Sequence, residues 1–228
     1  MKIFLDGANF EMMKKTNNGI VSGYTTNPSL MKKEGITNYT EFIEMVLGEI
    51  DLPVSFEVFS DDICEMKRQA LVLNSYGHNV YVKIPITNTK GISTIDLVGE
   101  LIAEGVNVNL TAVFKMEQIY FLKNVLEKNV PFIISVFAGR IADTGVDPMP
   151  IITNIVNEFS ECDKWEVLWA STREVLNFYQ AKKVGCDIIT MPFYLLEKMK
   201  MKNKNLNEFS LETVREFYDD SVEAGYVL

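Results

Sequence analysis

One lysine lies inside an apolar segment that the sequence predicts to be a buried strand. Residues 79–87 are rich in β-branched and aromatic side chains, which are typical of the buried strands of a parallel sheet, and Lys83 lies near the middle. Burial disfavours the charged ammonium, so the amine is neutral more often and can act as a nucleophile. Such an amine forms Schiff bases with carbonyl substrates. The lysine could instead reach solvent or pair with an acid, so this segment leaves the choice open.

Polar side chains recur where the other predicted strands end, which is where the active sites of parallel barrels lie. Each has an ordinary alternative, such as a helix cap for Asp6 or a buried ion pair between Glu57 and Lys83. Taken together, they supply an amine, acid–base carboxylates, amides for hydroxyl groups and arginines for an anion. The candidates besides Lys83 are Asp6, Thr26, Asn27, Glu57, Asn109, Thr111, Ser135, Arg140, Ser171 and Arg173.

The elements that would position these residues alternate regularly between strand and helix. Strands are predicted at residues 2–6, 20–23, 53–58, 79–87, 106–111, 130–137, 165–170 and 186–190. The helices between them include 116–127, 150–159 and 172–183, and a last helix spans 211–224. Strand–helix alternation predicts a parallel sheet, and eight units without a Gly-x-Gly-x-x-Gly turn favour a closed barrel over an open dinucleotide-binding sheet.

We therefore expect an α/β fold, a single (β/α)8 TIM barrel with an additional C-terminal helix. Residues 1–228 would form one domain, with the barrel over about residues 1–200 and the helical extension over about residues 208–228. Apolar residues make up 47% of the chain, which is enough for a substantial core.

The charge and the cysteine pattern restrict the partners and the compartment. A net charge of −9 argues against nucleic acid or an anionic membrane as a partner. Cys64, Cys162 and Cys186 form no CxxC pair, which fits reduced thiols in the cytoplasm, and no segment resembles a signal peptide or a membrane span. His78 is the only histidine, so a histidine-based triad or metal site is not expected, and no metal is predicted.

At the candidate positions the sequence resembles the transaldolase family, in its short branch shared with fructose-6-phosphate aldolase. The matching segments occur in the family's order and extend from residue 4 to about residue 192. They are Phe4-Leu5-Asp6, Thr25-Thr26-Asn27-Pro28-Ser29, Val54-Ser55-Phe56-Glu57-Val58, Val82-Lys83-Ile84-Pro85, Asn109-Leu110-Thr111-Ala112-Val113-Phe114, Ser135-Val136-Phe137-Ala138-Gly139-Arg140-Ile141, Ala170-Ser171-Thr172-Arg173 and Thr190-Met191-Pro192.

The resemblance implies a metal-independent class I aldol chemistry that needs no cofactor. Lys83 would form an imine with the ketose carbonyl, and Asp6 would take the proton of the C4 hydroxyl as the C3–C4 bond breaks. Glu57 and Thr111 would hold the water that shuttles protons.

The remaining site residues would bind substrate. Asn27, Asn109 and Ser135 are expected on the dihydroxyacetone hydroxyls, with Thr26 and Phe137 lining the same site. The resemblance further implies that Arg140, Ser171 and Arg173 hold the phosphate of the acceptor.

Two positions bear on whether the three-carbon fragment is transferred or released. The aldolase branch carries glutamine at the position of Glu57 and tyrosine at the position of Phe137, so this chain has the transaldolase pair. Phenylalanine has no hydroxyl with which to protonate the enamine, which favours transfer. Gly7 and Trp169 depart from the family's usual residues, and Trp169 could either pack against the helices or narrow the phosphate end of the site.

The resemblance implies sugar-phosphate substrates, a place in carbohydrate metabolism such as the pentose phosphate pathway, and a homo-oligomer formed through the C-terminal helix. Two other functions stay open at this point. One is reversible aldol cleavage of the fructose-6-phosphate aldolase type, and the other is a non-catalytic barrel that binds sugar phosphates.

Overall fold

Eight parallel strands close into a barrel in the computed structural model of the protein, which describes residues 1–126 and 130–228. The strands are β1 Lys2–Asp6, β2 Gly23–Thr25, β3 Val54–Glu57, β4 Val80–Pro85, β5 Val108–Val113, β6 Phe132–Val136, β7 Trp165–Trp169 and β8 Ile188–Met191. They follow one another around the ring in chain order, and β1 pairs with β8 to close it. The predicted (β/α)8 barrel is confirmed.

Helices connect the strands on the outside of the barrel. They are α1 Phe10–Thr16, α2 Pro28–Lys33, α3 Tyr39–Leu47, α4 Ile63–Ser75, α5 Ile95–Ala103, α6 Leu122–Val125, α7 Ala138–Ala142, α8 Pro148–Glu158, α9 Leu176–Val184, α10 Phe193–Lys198 and α11 Leu206–Glu223. Asn27, Asn38 and Asp62 each cap a helix by accepting a hydrogen bond from the backbone N–H three residues further on. Within the described ranges no helix is both long and apolar enough to cross a bilayer.

Alternate residues of each strand face the helices or the lumen. On β4, Val82 and Ile84 pack in the layer between barrel and helices, and Lys83 between them therefore faces the lumen. Below the carboxyl ends of the strands the lumen is filled by an apolar cluster that includes Phe4. A Cβ on Gly23 would lie 2.6 Å from the ring of Phe4, so the glycine makes room for that ring. The polar site therefore rests on an apolar floor.

The second strand was predicted three residues too early. The sequence predicts residues 20–23, whereas β2 begins at Gly23 and extends to Thr25, beyond the predicted end of the strand. Ile20 is 56% exposed and lies beyond a turn at Gly19, whose φ is +89°. Pairing with β1 and β3 sets the strand, since Thr25 lies opposite both Asp6 and Ser55. Tertiary pairing thus overrides local β-propensity here.

The single helix predicted over residues 116–127 is broken. A 3₁₀ turn covers Met116–Gln118, and α6 covers Leu122–Val125, while Glu127 lies outside the described residues. The side chain of Gln118 accepts hydrogen bonds from the backbone N–H groups of Phe114 and Lys115, at 2.8 and 3.1 Å. This local bonding competes with the helical pattern.

Two further helix boundaries also differ from the prediction for local reasons. The helix expected from residue 172 begins at Leu176, because the side chain of Asn177 accepts hydrogen bonds from the N–H groups of Arg173 and Glu174 and holds a turn. The terminal helix α11 begins at Leu206, where the side chain of Asn205 caps it. An additional C-terminal helix is confirmed, and none of its residues is buried.

A glycine at the start of α7 lets two loops at the carboxyl end of the barrel touch. Gly139 follows β6, and a Cβ at this position would lie 1.7 Å from the backbone carbonyl oxygen of Ser171, which follows β7. Ser171 itself has a φ of +62°, in the left-handed region that few non-glycine residues adopt. The contact therefore fixes the backbone of Ser171 relative to α7.

We expect Gly139→Ala to lower the free energy of unfolding by about 1–3 kcal/mol, because the new methyl group must push the Ser171 backbone away. Urea denaturation measures this change. Gly7→Ala is the matched control, since no atom lies within 4 Å of a Cβ at Gly7. Equal stability of the two variants would show that the contact between the two loops is not a constraint.

Candidate active site

The amine of Lys83 is enclosed in the lumen and has two partners. It donates a hydrogen bond to the backbone carbonyl of Thr26 at 2.8 Å and forms an ion pair with Glu57 at 3.0 Å. Lys83 is 4% exposed, and the register pairs it with Glu57 on β3, so both side chains leave the sheet on the same side. The ion-pair alternative left open by the sequence is therefore what the structure shows. The pair keeps the amine in place beside an acid that can accept its proton.

Asp6 is held by a relay of hydroxyl groups. The hydroxyl of Thr25 donates to Asp6 at 2.8 Å and lies 2.6 Å from the hydroxyl of Thr190. Desolvation raises the pKa of Asp6, and the charge of Glu57 raises it further, while Lys83 and the Thr25 hydrogen bond oppose the rise. A carboxylate with a raised pKa is a stronger base and a more useful proton donor near neutral pH.

The hydroxyl of Thr111 is buried and has no hydrogen-bond partner in the described part of the chain. Thr111 is 1% exposed but lines the cavity described below. The next residue, Ala112, has a φ of +58°, and the pairing of β5 with β6 shifts register between Leu110 and Val113. Such an irregularity re-aims neighbouring side chains. The hydroxyl is thus available to a water or a substrate.

Asn109 joins two serine hydroxyls across neighbouring strands. Its amide donates to Ser55 at 3.0 Å, and its carbonyl oxygen accepts from Ser135 at 2.7 Å. Both hydrogen bonds are buried, which fixes the orientation of the amide. Ser135 lines the cavity, whereas Asn109 does not. Ser135 is therefore the residue exposed to the cavity, and Asn109 supports it from behind.

A cavity of about 380 Å³ opens at the carboxyl ends of the strands. Nine of the twelve residues predicted for the site line this cavity, and the other three each bond to one that does. The cavity is lined by Asp6, Thr25, Asn27, Ser29, Leu30, Lys33, Lys83, Thr111, Ser135, Phe137, Arg140, Leu168, Ala170, Ser171, Thr172, Arg173, Thr190, Pro192 and Tyr194.

Three predicted site residues do not line this cavity but support residues that do. Glu57 and the backbone carbonyl of Thr26 hold Lys83, and Asn109 holds Ser135. Glu57 is in turn positioned by Tyr39, whose hydroxyl donates to the backbone carbonyl of Glu57 at 2.9 Å. Burial raises the pKa of Tyr39, so the phenol stays protonated and keeps donating.

Two arginines stand on the rim after β6 and β7. The guanidinium of Arg140 lies 5.5 Å from the ring centroid of Phe137, and Arg173 forms an ion pair with Asp143 at 2.5 Å. Both guanidinium groups are on exposed residues, so they can turn towards an anion in the cavity. An exposed pair such as Arg173–Asp143 is worth only about 0–1 kcal/mol, which an incoming anion can replace.

Several lining residues had no role in the sequence analysis. Thr25 and Thr190 lie within segments that carried the resemblance, yet only the structure shows that they support Asp6. Lys33 and Tyr194 come from helices, and helix residues carry no strand-end signal that could have identified them. Ser29 likewise lies on α2, one residue after its first.

The two departures from the family pattern, Gly7 and Trp169, do not line the cavity, although Gly7 directly follows Asp6 in the chain. Trp169 is 1% exposed and belongs to the layer between the barrel and the helices, and it does not line the cavity. It therefore packs against the helices and does not narrow the cavity. A Cβ on Gly7 would meet no atom within 4 Å beyond its chain neighbours. In the described ranges, no group of three or more histidine, cysteine, aspartate or glutamate residues is arranged to hold a metal ion.

The model of the transaldolase/fructose-6-phosphate aldolase family matches residues 3–226 of this chain. A probable transaldolase of Methanococcus maripaludis (strain C7) is 37% identical over 201 residues, covering 87% of this chain and 89% of that protein. A probable transaldolase of Thermoanaerobacter sp. (strain X514) is 34% identical over 218 residues, covering 95% and 96%. That of Nitrosopumilus maritimus is 39% identical over 202 residues, covering 87% of each chain.

Solved structures resemble the chain in fold. The thiamine phosphate pyrophosphorylase of Pyrococcus furiosus superposes with a TM-score of 0.54 at 13% identity, covering 86% of this chain and 87% of that one. The 3-hexulose-6-phosphate synthase of Salmonella typhimurium gives a TM-score of 0.56 at 13% identity, covering 84% and 89%. At this identity the likeness supports the barrel fold alone.

We expect Asp6→Asn to be more stable than the wild type at neutral pH. The pKa of Asp6 in the folded protein lies above its ordinary value of 3.8, so the folded state binds the proton more tightly than the unfolded chain. Wild-type stability therefore falls as pH rises from about that value through the raised pKa, whereas the amide does not titrate. The difference in Tm between the two proteins should grow with pH over this window.

Thermal melts of both proteins between pH 4 and 8 measure this difference. Asp51→Asn is the control, because Asp51 is exposed and precedes β3 at the other end of the barrel. A difference for Asp6→Asn that stays constant or shrinks as pH rises would contradict the raised pKa.

Proposed function

Because this chain belongs to the transaldolase/fructose-6-phosphate aldolase family, we propose that it is a transaldolase, which moves a dihydroxyacetone unit from a ketose phosphate to an aldose phosphate. The observation that carries the proposal is the amine of Lys83, enclosed in the lumen beside Glu57 and facing a cavity that Asp6 also lines. Binding alone would not require a buried amine between two acids.

Imine formation begins with the proton of Lys83. Glu57, at 3.0 Å, accepts that proton, and the free amine attacks the C2 carbonyl of the ketose. The carbinolamine then loses water as its hydroxyl receives a proton, and a positively charged iminium forms on Lys83. Thr111 supports the water that carries protons between Glu57 and the intermediate, because its buried hydroxyl has no partner among the described residues.

Asp6 carries the carbon–carbon bond cleavage. Its carboxylate takes the proton of the C4 hydroxyl, the C3–C4 electron pair moves into the iminium, and an aldehyde leaves. The three-carbon unit stays on Lys83 as a neutral enamine. In the second half of the reaction C3 of the enamine attacks an acceptor aldehyde, and Asp6 returns the proton to the new hydroxyl. Water then releases the ketose product from Lys83.

The three-carbon unit is held by hydroxyl and amide groups. Ser135 and Asn27 line the cavity and bind the dihydroxyacetone hydroxyls, with Asn109 fixing the orientation of Ser135. The side-chain oxygen of Asn27 also caps α2 by accepting a hydrogen bond from the backbone N–H of Leu30 at 3.0 Å. This leaves the side-chain NH2 group of Asn27 for substrate. Thr26 contributes its backbone carbonyl to Lys83.

The phosphate of the substrate binds at the rim. Arg140 and Arg173 provide positive charge, and Ser171, which lies between them in the sequence, provides a hydroxyl group. The backbone of Ser171 is fixed by its contact with Gly139. Phosphate replaces Asp143 as the partner of Arg173. Because both guanidinium groups bind the same phosphate, the enzyme prefers phosphorylated sugars.

Transfer is favoured over release because Phe137 lines the cavity without a hydroxyl. Protonation of the enamine at C3 would end in free dihydroxyacetone, as in reversible cleavage of the fructose-6-phosphate aldolase type. Phe137 cannot supply that proton, so the enamine instead reacts with the acceptor aldehyde. Aldolase-type release is thus the second candidate function, and a non-catalytic sugar-phosphate binder is the third.

We also propose the wider setting of the reaction. Residues 1–228 form one domain, the enzyme acts in sugar-phosphate metabolism such as the pentose phosphate pathway, and it works in the cytoplasm. The exposed thiol of Cys64 fits a reducing compartment.

The C-terminal helix supports a homo-oligomer. Leu211, Val214, Tyr218 and Val222 lie on one face of α11 and are between 49% and 68% exposed. A spacing of three, four and four residues gives a continuous apolar stripe. Burial of this stripe against a second copy of the chain would remove it from water.

We expect borohydride in the presence of fructose 6-phosphate to increase the mass of the wild-type protein, because reduction fixes the imine on Lys83. Lys83→Ala should show no increase and should lose at least ~10³-fold in transfer rate, since no other group replaces the nucleophile. Lys90→Ala is the control, as Lys90 is an exposed lysine beyond the same strand. Intact-protein mass spectrometry measures the adduct.

The same experiment separates the candidate functions. A wild type that gains no mass is a binder and not a class I enzyme, and undiminished trapping in Lys83→Ala moves the imine to another lysine. With erythrose 4-phosphate as acceptor, sedoheptulose 7-phosphate should form faster than free dihydroxyacetone accumulates. The reverse order would assign the protein to aldolase-type release.

We expect the Tyr218→Arg variant to form a smaller assembly than the wild type, because a charge then lies in the middle of the apolar stripe. Sedimentation velocity measures the mass. Glu216→Gln changes the net charge by the same amount on the opposite face of α11 and should leave the assembly intact. A monomeric wild type, or equal masses for Tyr218→Arg and wild type, would overturn assembly through this helix.

A further inference from the structure

The cavity carries a local excess of positive charge in an acidic protein. Four basic side chains line it, Lys33, Lys83, Arg140 and Arg173, against one acidic side chain, Asp6. The whole chain has a net charge of −9. Basic groups concentrated in a cleft attract and hold anions even where the overall charge is negative. Three of the four have a role in the proposed reaction, and Lys33 has none.

Lys33 has no carboxylate partner within the described ranges. The nearest acid in the sequence, Glu34, instead accepts a hydrogen bond from the side chain of Asn9 at 2.8 Å. Arg173 pairs with Asp143, and Lys83 pairs with Glu57. Lys33 therefore offers its charge to the cavity without first having to leave an ion pair.

The register of α2 explains why Lys33 borders the cavity and its neighbour Lys32 does not. With 100° per residue, Ser29, Leu30 and Lys33 share one face, and all three line the cavity. Pro28, Met31 and Lys32 share the opposite face and line a separate cavity of about 300 Å³. Two adjacent exposed lysines on one short helix thus line two different cavities.

The helix is held firmly enough to make this difference meaningful. Asn27 caps it, Pro28 occupies its first position, and buried Met31 anchors the face opposite the active-site cavity. Because α2 follows β2 and α7 follows β6, four strands further round the ring, Lys33 and Arg140 approach the cavity from opposite sides. An anion held by the arginines on one rim then meets a cation from the other.

We propose that Lys33 is a specificity-determining residue that binds the phosphate-bearing end of the substrate from the α2 side. This inference rests on the proposed function, because it assigns Lys33 to the substrates of that reaction. Lys33 selects for charge and takes no part in proton transfer. Its loss should therefore weaken the binding of phosphorylated sugars and leave the reacting groups in place.

The experiment compares Lys33→Ala with Lys32→Ala, which removes the same charge from the same helix at a position that does not face the cavity. The concentration of fructose 6-phosphate that half-saturates borohydride trapping should rise about tenfold in Lys33→Ala and stay at the wild-type value in Lys32→Ala. Lys33→Arg should restore most of the affinity. With free fructose, which carries no phosphate, Lys33→Ala and Lys32→Ala should behave alike.

Steady-state kinetics provide the second measurement. KM for fructose 6-phosphate should rise in Lys33→Ala with little change in kcat, as expected when binding is lost equally from ground and transition states. Equal half-saturation in Lys33→Ala and Lys32→Ala would overturn the role of Lys33 while leaving the transaldolase intact. So would a loss in Lys33→Ala that is as large for fructose as for fructose 6-phosphate. A wild type that traps neither sugar would overturn the proposed function and this inference with it.

Discussion

The ion pair between Lys83 and Glu57 is the interaction on which the rest of the site depends. A lysine in a closed barrel must find hydrogen-bond acceptors within the lumen, because solvation by bulk water is lost. Glu57 and the Thr26 carbonyl provide them at 3.0 and 2.8 Å. Parallel strands in register bring β3 and β4 side chains together on the same side of the sheet, so the barrel itself places the acid beside the amine.

That arrangement imposes a constraint on Asp6. A second carboxylate near the pair loses its hydration and also lies near the charge of Glu57, and the pKa of Asp6 rises as a result, although Lys83 opposes the rise. The hydroxyls of Thr25 and Thr190 lower the cost of keeping Asp6 in this position without adding charge. The lumen thus pairs one acid with the lysine and leaves the other facing the cavity. The same desolvation makes the site a place where stability and activity oppose each other.

The strand lysine and the eight strand–helix units were readable from the sequence because each leaves a regular pattern. Lys83 stands out against the apolar residues of β4, and polar residues such as Asp6 and Thr111 lie at or near the ends of their strands. The position of β2 was not readable, because Thr25 and Thr26 resemble a polar loop until pairing with β1 and β3 is known. The break before α6 escaped for a similar reason, as it depends on side-chain bonding by Gln118.

Within the site, the sequence indicated residue types better than their working positions. Asn109 was expected on the substrate, but it does not line the cavity; its side chain donates to Ser55 and accepts from Ser135, which does. Lys33 escaped because no strand pattern marks it. Its relation to the cavity follows from the angle between successive residues of a six-residue helix, which separates it from Lys32. Strand ends therefore predict most of the polar residues that line the cavity, whereas residues such as Lys33 come from helices, whose orientation is set only when the barrel closes.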